Sequence, residues 1–445
     1  MGLVYGFAAL IMVGAFLLMT PAANTAAGSA PFRTALFTSV SAVTVTGMQP
    51  VDTAVYWTFF GQVVIAILVF IGGLGFMTGA AFLLVVAGRR IGLQNLLVIR
   101  EGLGGGEMGG IRRLVLGFVG AAVLIQLLGA GALFLRFYVF GSVWPGVTMG
   151  EAAWSSIFHS ISAFNNAGFD IFRNDVVHGD SVIGFQHDWV VLGTLASLIV
   201  LGGLGYFVIR DLVVVRRFSR FSLDTKLVVV GTVILLIGGA AVFLAQSWRD
   251  PGTLGHVGTG DKVAAAIFDS ASARTAGYQA IDYGNATQDR LVSAEMLMLV
   301  GGASASTAGG IKVNTALIIL ITVVSTIRGG RRATAFGREI PFIVIKRAMV
   351  LLASFVIIIG VFLLLLTGLQ PEFPLHRHLF ELISAFCTVG LTTGITAELN
   401  TGAQIVIMAA MFIGRFGPLT LALWMAVGSE EVETYRLAQE RVRIG

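Results

Sequence analysis

Long apolar stretches alternate along this chain with shorter segments rich in serine, alanine and glycine. The stretches at 63–86, 114–135, 189–209, 227–245 and 349–366 carry no charge at all. Each is long enough for a helix across the hydrocarbon core of a bilayer, which needs roughly 20 apolar residues. Extended to their polar flanks, the runs predict eight spanning helices: 2–20, 56–87, 114–140, 189–213, 227–246, 291–327, 340–366 and 404–427. The sixth is interrupted at 301–310 (GGASASTAGG), a run of small residues that holds no rigid helix. An even number of crossings puts both termini on one side.

Between the helices of each successive pair lies a related short segment: FTSVSAVTVTGM at 37–48, FHSISAFNNAGF at 158–169, FDSASARTAGY at 268–278 and FELISAFCTVGL at 380–391. Phenylalanine and glycine are ten residues apart in the first, second and fourth copies and nine in the third, ending on Gly47, Gly168, Gly277 and Gly390. One such motif is weak; four near-evenly spaced copies mark an internal repeat. The repetition reaches the following helices, where Gly72-Gly73, Gly202-Gly203, Gly301-Gly302 and Gly414-Arg415 correspond. The fold expected is an all-α integral membrane protein, four tandem units of helix, pore half-helix, loop and helix in pseudo-fourfold arrangement about one pore. The units run 1–87, 88–215, 216–328 (with the 301–310 break) and 329–428, followed by a tail at 429–445.

Composition agrees: 56% of the 445 residues are hydrophobic and 12% charged, about half the charged share of a soluble domain. The net charge of +5 is not a nucleic-acid footprint, because the basic residues gather in four segments with no aromatic platform beside them. Arg89, Arg90, Arg100, Arg112 and Arg113 form one; Arg210, Arg216, Arg217, Arg220 and Lys226 a second; Arg328, Arg331, Arg332, Arg338, Lys346 and Arg347 a third. Arg436, Arg441 and Arg443 lie in the tail. The positive-inside rule makes these segments, and hence both termini, cytoplasmic in a multi-pass plasma-membrane protein. The apolar N-terminus lacks the positive leader of a signal peptide and is needed as the first helix. The single cysteine, Cys387, excludes a disulfide framework.

Irregular backbone at membrane depth survives only when buried in protein or lining water. Four loops about one axis present rings of carbonyl oxygens able to replace a cation's hydration shell, and the half-helices aim their negative ends at the ion. No catalytic motif accompanies them: there is no HExxH, no GxSxG and no carboxylate pair on one helix. His159 reads as a hydrogen-bonded packing residue, and the glycines at 102–110 as a cytoplasmic turn. The polar residues after each motif phenylalanine (Thr38, His159, Asp269 and Glu381) leave two readings open for the acids, cation attraction at the outer mouth or helix anchoring.

The loops TVTGM, NNAGF, RTAGY and CTVGL, with GGASASTAGGIK and IGRFGPLT, resemble the Trk/Ktr/HKT superfamily of potassium transporters over nearly the whole chain, most of all the KtrB-type membrane subunit. The resemblance implies a potassium filter lined by backbone carbonyls of Thr44, Val45, Thr46 and Gly47; Asn165, Asn166, Ala167 and Gly168; Arg274, Thr275, Ala276 and Gly277; and Cys387, Thr388, Val389 and Gly390. Glycine at all four filter positions goes with potassium preference in that superfamily. The resemblance makes 301–310 an intramembrane gate loop, with Gly301, Gly302, Ser304, Ser306, Thr307, Gly309 and Gly310 at its working positions. Arg415, where the other units have glycine, would lie beneath the filter, oppose cation passage and bond the closed loop. Such subunits dimerise in lipid on a cytosolic ring of nucleotide-binding KtrA-type regulatory subunits, for which the basic loops and the tail are docking surfaces. Potassium is the implied cargo, with no organic cofactor in this chain. Three functions stay open: a channel-like conduit, a sodium- or proton-coupled potassium symporter, and a membrane-embedded enzyme or scaffold without ion flux.

Overall fold

The computed structural model describes residues 2–25, 28–74, 111–141, 144, 146–172, 181–304 and 306–427. The arginines at 89, 90 and 100, the glycines at 102–110, the lower half of the second expected span and the 429–445 tail lie outside them.

The described chain is helical apart from a two-residue hairpin, Thr334–Ala335 against Arg338–Glu339. In order the helices are α1 Gly2–Met19, α2 Phe32–Thr44, α3 Phe59–Gly73, α4 Ile111–Phe134, α5 Met149–Phe164, α6 Trp189–Leu204, α7 Leu223–Ser247, α8 Thr259–Ser272, α9 Gln288–Leu299, α10 Val313–Ile327, α11 Phe342–Leu369, α12 Leu375–Phe386 and α13 Thr401–Val427. Local chemistry sets several starts. Thr148 and Glu151 form a reciprocal capping box on α5, the Asp188 carboxylate accepts from the N–H groups of Val190 and Val191 at the head of α6, and Ser222 caps α7.

Among the described residues, Leu116–Val139, Leu223–Ser247 and Phe342–Leu369 are long and apolar enough to cross a membrane unbroken. Val4–Met19, Phe59–Gly73, Val313–Ile327 and Thr401–Phe416 are shorter apolar helices. Much of the apolar surface faces outward: Phe342, Leu364 and Ile357 expose 79%, 76% and 65% of their area. A band of that kind is unfavourable in water and is covered by acyl chains in a bilayer.

The four motif helices α2, α5, α8 and α12 form the buried centre. Each packs against the long helix before it, and α3, α6, α9 and α13 each touch the motif helix of the next unit, with α13 returning to α2. Three motif helices are pinned at the same point: Ser39 donates to the Ile11 carbonyl at 2.7 Å, Ser160 to Gln126 at 2.6 Å and Ser270 to Leu236 at 2.8 Å. Gly14, Gly129 and Gly239 supply the room for those hydroxyls.

One expected span differs and another divides as expected. The helix expected over 189–213 ends at Leu204 and bends by 101° into 206–215. Gly205 sits there with φ of +76°, outside helical space. The carbonyls of Gly202 and Gly203 that a continuing helix would have used accept instead from Thr307 N at 3.3 Å and Ala303 N at 2.8 Å. The span expected over 291–327 divides, as its small residues foretold, into α9 and α10, joined through an isolated bridge between Val300 and Ile311.

Candidate functional site

The four loops leave their helices with one backbone signature. Val45 and Gly47 have φ of +59° and +86°, Asn166 and Gly168 of +57° and +67°, Thr275 and Gly277 of +80° and +79°, Thr388 and Gly390 of +50° and +98°. Positive φ at the glycines was legible in the sequence. At Val45, Thr275 and Thr388 it was not, because branched side chains disfavour that region, at a cost on the order of 1–3 kcal/mol each. The structure brings the loops together in cyclic order. A Cβ at Gly47 would strike the Ala167 carbonyl, one at Gly168 the Ala276 carbonyl, one at Gly277 the Val389 carbonyl and one at Gly390 the Thr46 carbonyl. Thr44, Asn165, Thr275 and Cys387 are wholly buried, and Arg274 lies in the third loop with its guanidinium turned to the carbonyl of Gly301 at 3.2 Å.

Behind the loops sit the polar motif residues. His159 stacks on Phe172 with centroids 3.7 Å apart, Nδ1 donating to the Ser155 carbonyl at 2.7 Å. Asp269 Oδ2 is paired with Arg290 Nη2 at 2.7 Å, both side chains buried, and the Arg290 guanidinium lies over the Phe243 ring. Glu381 accepts from the hydroxyls of Thr392, Thr393 and Thr396 at 2.6, 3.1 and 2.7 Å. Both acids are therefore inner anchors and not free charges at a mouth. Sequence spacing had left that choice open, since Arg290 and the threonines lie beyond the motif. Outside, Asp261 at the head of α8 accepts from His187 Nδ1 at 2.6 Å and Trp189 Nε1 at 2.8 Å, and the His187 bond first of all holds its carboxyl below the ordinary range.

Beneath the loops runs the small-residue segment. Thr307 Oγ1 donates to the Phe164 carbonyl at the end of α5 at 3.2 Å. Arg415 reaches across from α13, with Nη1 on the Thr307 carbonyl at 2.6 Å and Nη2 on the Gly72 carbonyl at 3.1 Å. Gly309 lies so close to the fourth loop that a Cβ would strike Thr388 Oγ1 and the Cys387 carbonyl. Gly301 faces Gly309 in the same way, Gly302 approaches the Gly203 carbonyl, Ser304 donates to Asn314 at 3.2 Å, and Ser306 to Ala303 at 2.6 Å. Gly310 turns with φ of +62°. Lys312, quoted in the motif but assigned nothing, donates from Nζ to the Ala308 carbonyl. Among the described residues no group of His, Cys, Asp and Glu is arranged to hold a metal.

The sequence matches the family described as TrkH, cation transport protein, over residues 1–435. The chain belongs to that family. It is 39% identical over 427 residues to the Ktr system potassium uptake protein B of Bacillus subtilis, covering 95% of this chain and 92% of that one. It is 36% identical to the potassium/sodium uptake protein NtpJ of Enterococcus hirae, covering 99% and 96%. Among solved structures it resembles the potassium transporter TrkH from Vibrio parahaemolyticus, with a TM-score of 0.72 over 95% of this chain and 83% of that one. At 16% identity that likeness speaks for the fold alone.

Proposed function

We propose that this TrkH-family protein carries potassium into the cell across the plasma membrane, through a filter of backbone carbonyls at the four loops. Eight membrane crossings in four quasi-equivalent units, with both termini cytoplasmic, set the loops about one pathway. The observation that carries the reading is the cyclic contact of Gly47, Gly168, Gly277 and Gly390 with one another's loops, each glycine following a residue of positive φ two places earlier. Four such segments offer oxygens and no full charge, which suits a monovalent cation that must also leave. The segment 301–310, held by Arg415, is the gate; a dimer of this chain sits on a cytosolic nucleotide-binding subunit, and of this arrangement the relatives named as protein B of a Ktr system support only the separate partner subunit. A second reading, in which sodium accompanies or replaces potassium, is favoured by the relative named for uptake of both ions.

Potassium influx into proteoliposomes, with and without sodium, tests both readings beside Gly47→Ser. Its Cβ would meet the Ala167 carbonyl in a backbone of positive φ, so selectivity for potassium over sodium falls in the variant. Influx that requires sodium supports the second reading. Absence of cation flux, with the regulatory partner present, overturns both.

A further inference from the structure

In three of the loops one position makes the same bond with different side chains. The residue after the motif phenylalanine lies buried in its short helix and accepts from the backbone N–H three residues beyond the loop glycine. His159 Nε2 accepts from Ile171 N at 3.2 Å, Asp269 Oδ1 from Ala280 N at 3.1 Å and Glu381 Oε1 from Thr393 N at 2.8 Å. An imidazole and two carboxylates differ in charge, shape and volume; what they share is an acceptor at that point. The first unit supplies a control. Thr38 stands at its position with Oγ1 unpartnered among the described residues, and three residues beyond Gly47 stands Pro50. Proline has no N–H to donate. Missing donor and idle acceptor coincide, so the position follows the bond and not helix packing in general.

We infer that His159, Asp269 and Glu381 are positioning residues that tie the outgoing chain of three loops to their own helices, and that these ties set the discrimination of potassium from sodium. Each tie bridges from the helix before a loop to the chain after it, so the segment between is fixed at both ends. Each acceptor is itself held: His159 by the Ser155 carbonyl and the Phe172 ring, Asp269 by Arg290, Glu381 by three threonine hydroxyls. On the size-fit account of carbonyl filters, a ring that yields inward solvates the smaller cation as well as the larger, and one held from behind does not. The first loop, lacking the tie, is the most yielding quarter of the ring. The inference rests on reading the loops as an ion filter.

The test compares full-length wild type, His159→Phe and His159→Gln in proteoliposomes by the ratio of potassium to sodium influx, with amide exchange of the peptide containing Ile171 as a second readout. Phenylalanine keeps a ring on Phe172 but removes the acceptor; glutamine restores an acceptor oxygen. Loss of one buried hydrogen bond predicts a roughly tenfold fall in the ratio for His159→Phe, with faster exchange at Ile171 and recovery of both in His159→Gln. A folded His159→Phe protein with the wild-type ratio and exchange overturns the inference alone. A wild type without cation flux overturns the filter reading and this inference with it. Should His159→Phe fail to fold, Ile171→Pro removes the donor as the first unit does, and the ratio of potassium to sodium influx alone decides: a fall supports the inference and a wild-type ratio in folded protein overturns it.

Discussion

Replacing Arg415 by alanine tests the proposed gate most directly. The guanidinium bridges two elements, with one N–H on the Thr307 carbonyl of the small-residue segment and another on the Gly72 carbonyl of α3. Gly72 lies so close to the Val43 carbonyl at the end of α2 that a Cβ there would strike it. On the proposed reading it is the Thr307 bond that breaks when the segment moves aside. A hydrogen bond with a charged donor is worth about 1.5–3 kcal/mol. At 1.4 kcal/mol per factor of ten, its loss raises the open fraction roughly 10- to 150-fold where the closed state dominates. Removing a positive charge beneath the proposed filter acts in the same direction. Arg415→Lys separates the two effects: it keeps the charge but has a single ammonium where the fork spanned two carbonyls, so influx rises less than in Arg415→Ala. Initial potassium influx into proteoliposomes, normalised to folded protein, is the measurement. A folded Arg415→Ala protein with wild-type influx and wild-type preference for potassium refutes the reasoning.

Two further outcomes follow from the paired charges at Asp269 and Asp261. Arg290→Met leaves Asp269 buried without its partner, which costs about 3–5 kcal/mol; denaturant titration in detergent should show that loss, with most of it recovered in the Asp269→Asn, Arg290→Met double variant. Asp261 titrates below its ordinary value because His187 and Trp189 donate to it. A depressed acid contributes stability above its unfolded value of about 3.9 and loses it as pH falls through the lower folded value. Thermal stability should therefore separate wild type from Asp261→Asn at pH 7, and the two should converge in strong acid.

Much of this architecture is readable without coordinates because its signals are local and repeated. The motif phenylalanine, the late glycine and the apolar runs each declare themselves within a window of a few residues, and four copies average out the ambiguity of one. The break at 301–310 is legible for the same reason, since ten consecutive small residues cannot sustain a packed helix face. What escapes is set by partners distant in sequence. The glycines at 202, 203 and 205 permit a break, but α6 ends there because residues 303 and 307 take the carbonyls that continuation would have used, and those partners lie about 100 positions away. Asp269 and Glu381 look alike as acids after a phenylalanine, yet one is neutralised by Arg290 and the other is wrapped in hydroxyls. Val45, Thr275 and Thr388 adopt positive φ against their own preference, a conformation that only the surrounding loops can impose.

The third unit shows why the copies are not identical. In the others, the N–H before the loop glycine reaches back five residues: Thr46 to Ser41, Ala167 to Ser162 and Val389 to Ser384. In the third, Ala276 reaches back only four, to Ser272, which is where the one-residue deletion in FDSASARTAGY is absorbed. The same unit carries the divided helix. Gly72, Gly202 and Gly414 press against the carbonyls of Val43, Phe164 and Phe386 at the ends of motif helices, whereas Gly301 presses against Gly309 of the returning segment. A shortened loop above and a doubled-back chain below therefore occur together, and Arg274 joins them, its backbone in the loop and its guanidinium on the Gly301 carbonyl. A loop shortened by a residue would leave space for the returning segment, whose Thr307 and Gly309 lie against the second and fourth motif helices or loops. On this argument the deletion and the break are one adaptation: restoring a residue between Phe268 and Gly277 should crowd Gly301 and Gly309 and loosen the segment that Arg415 holds.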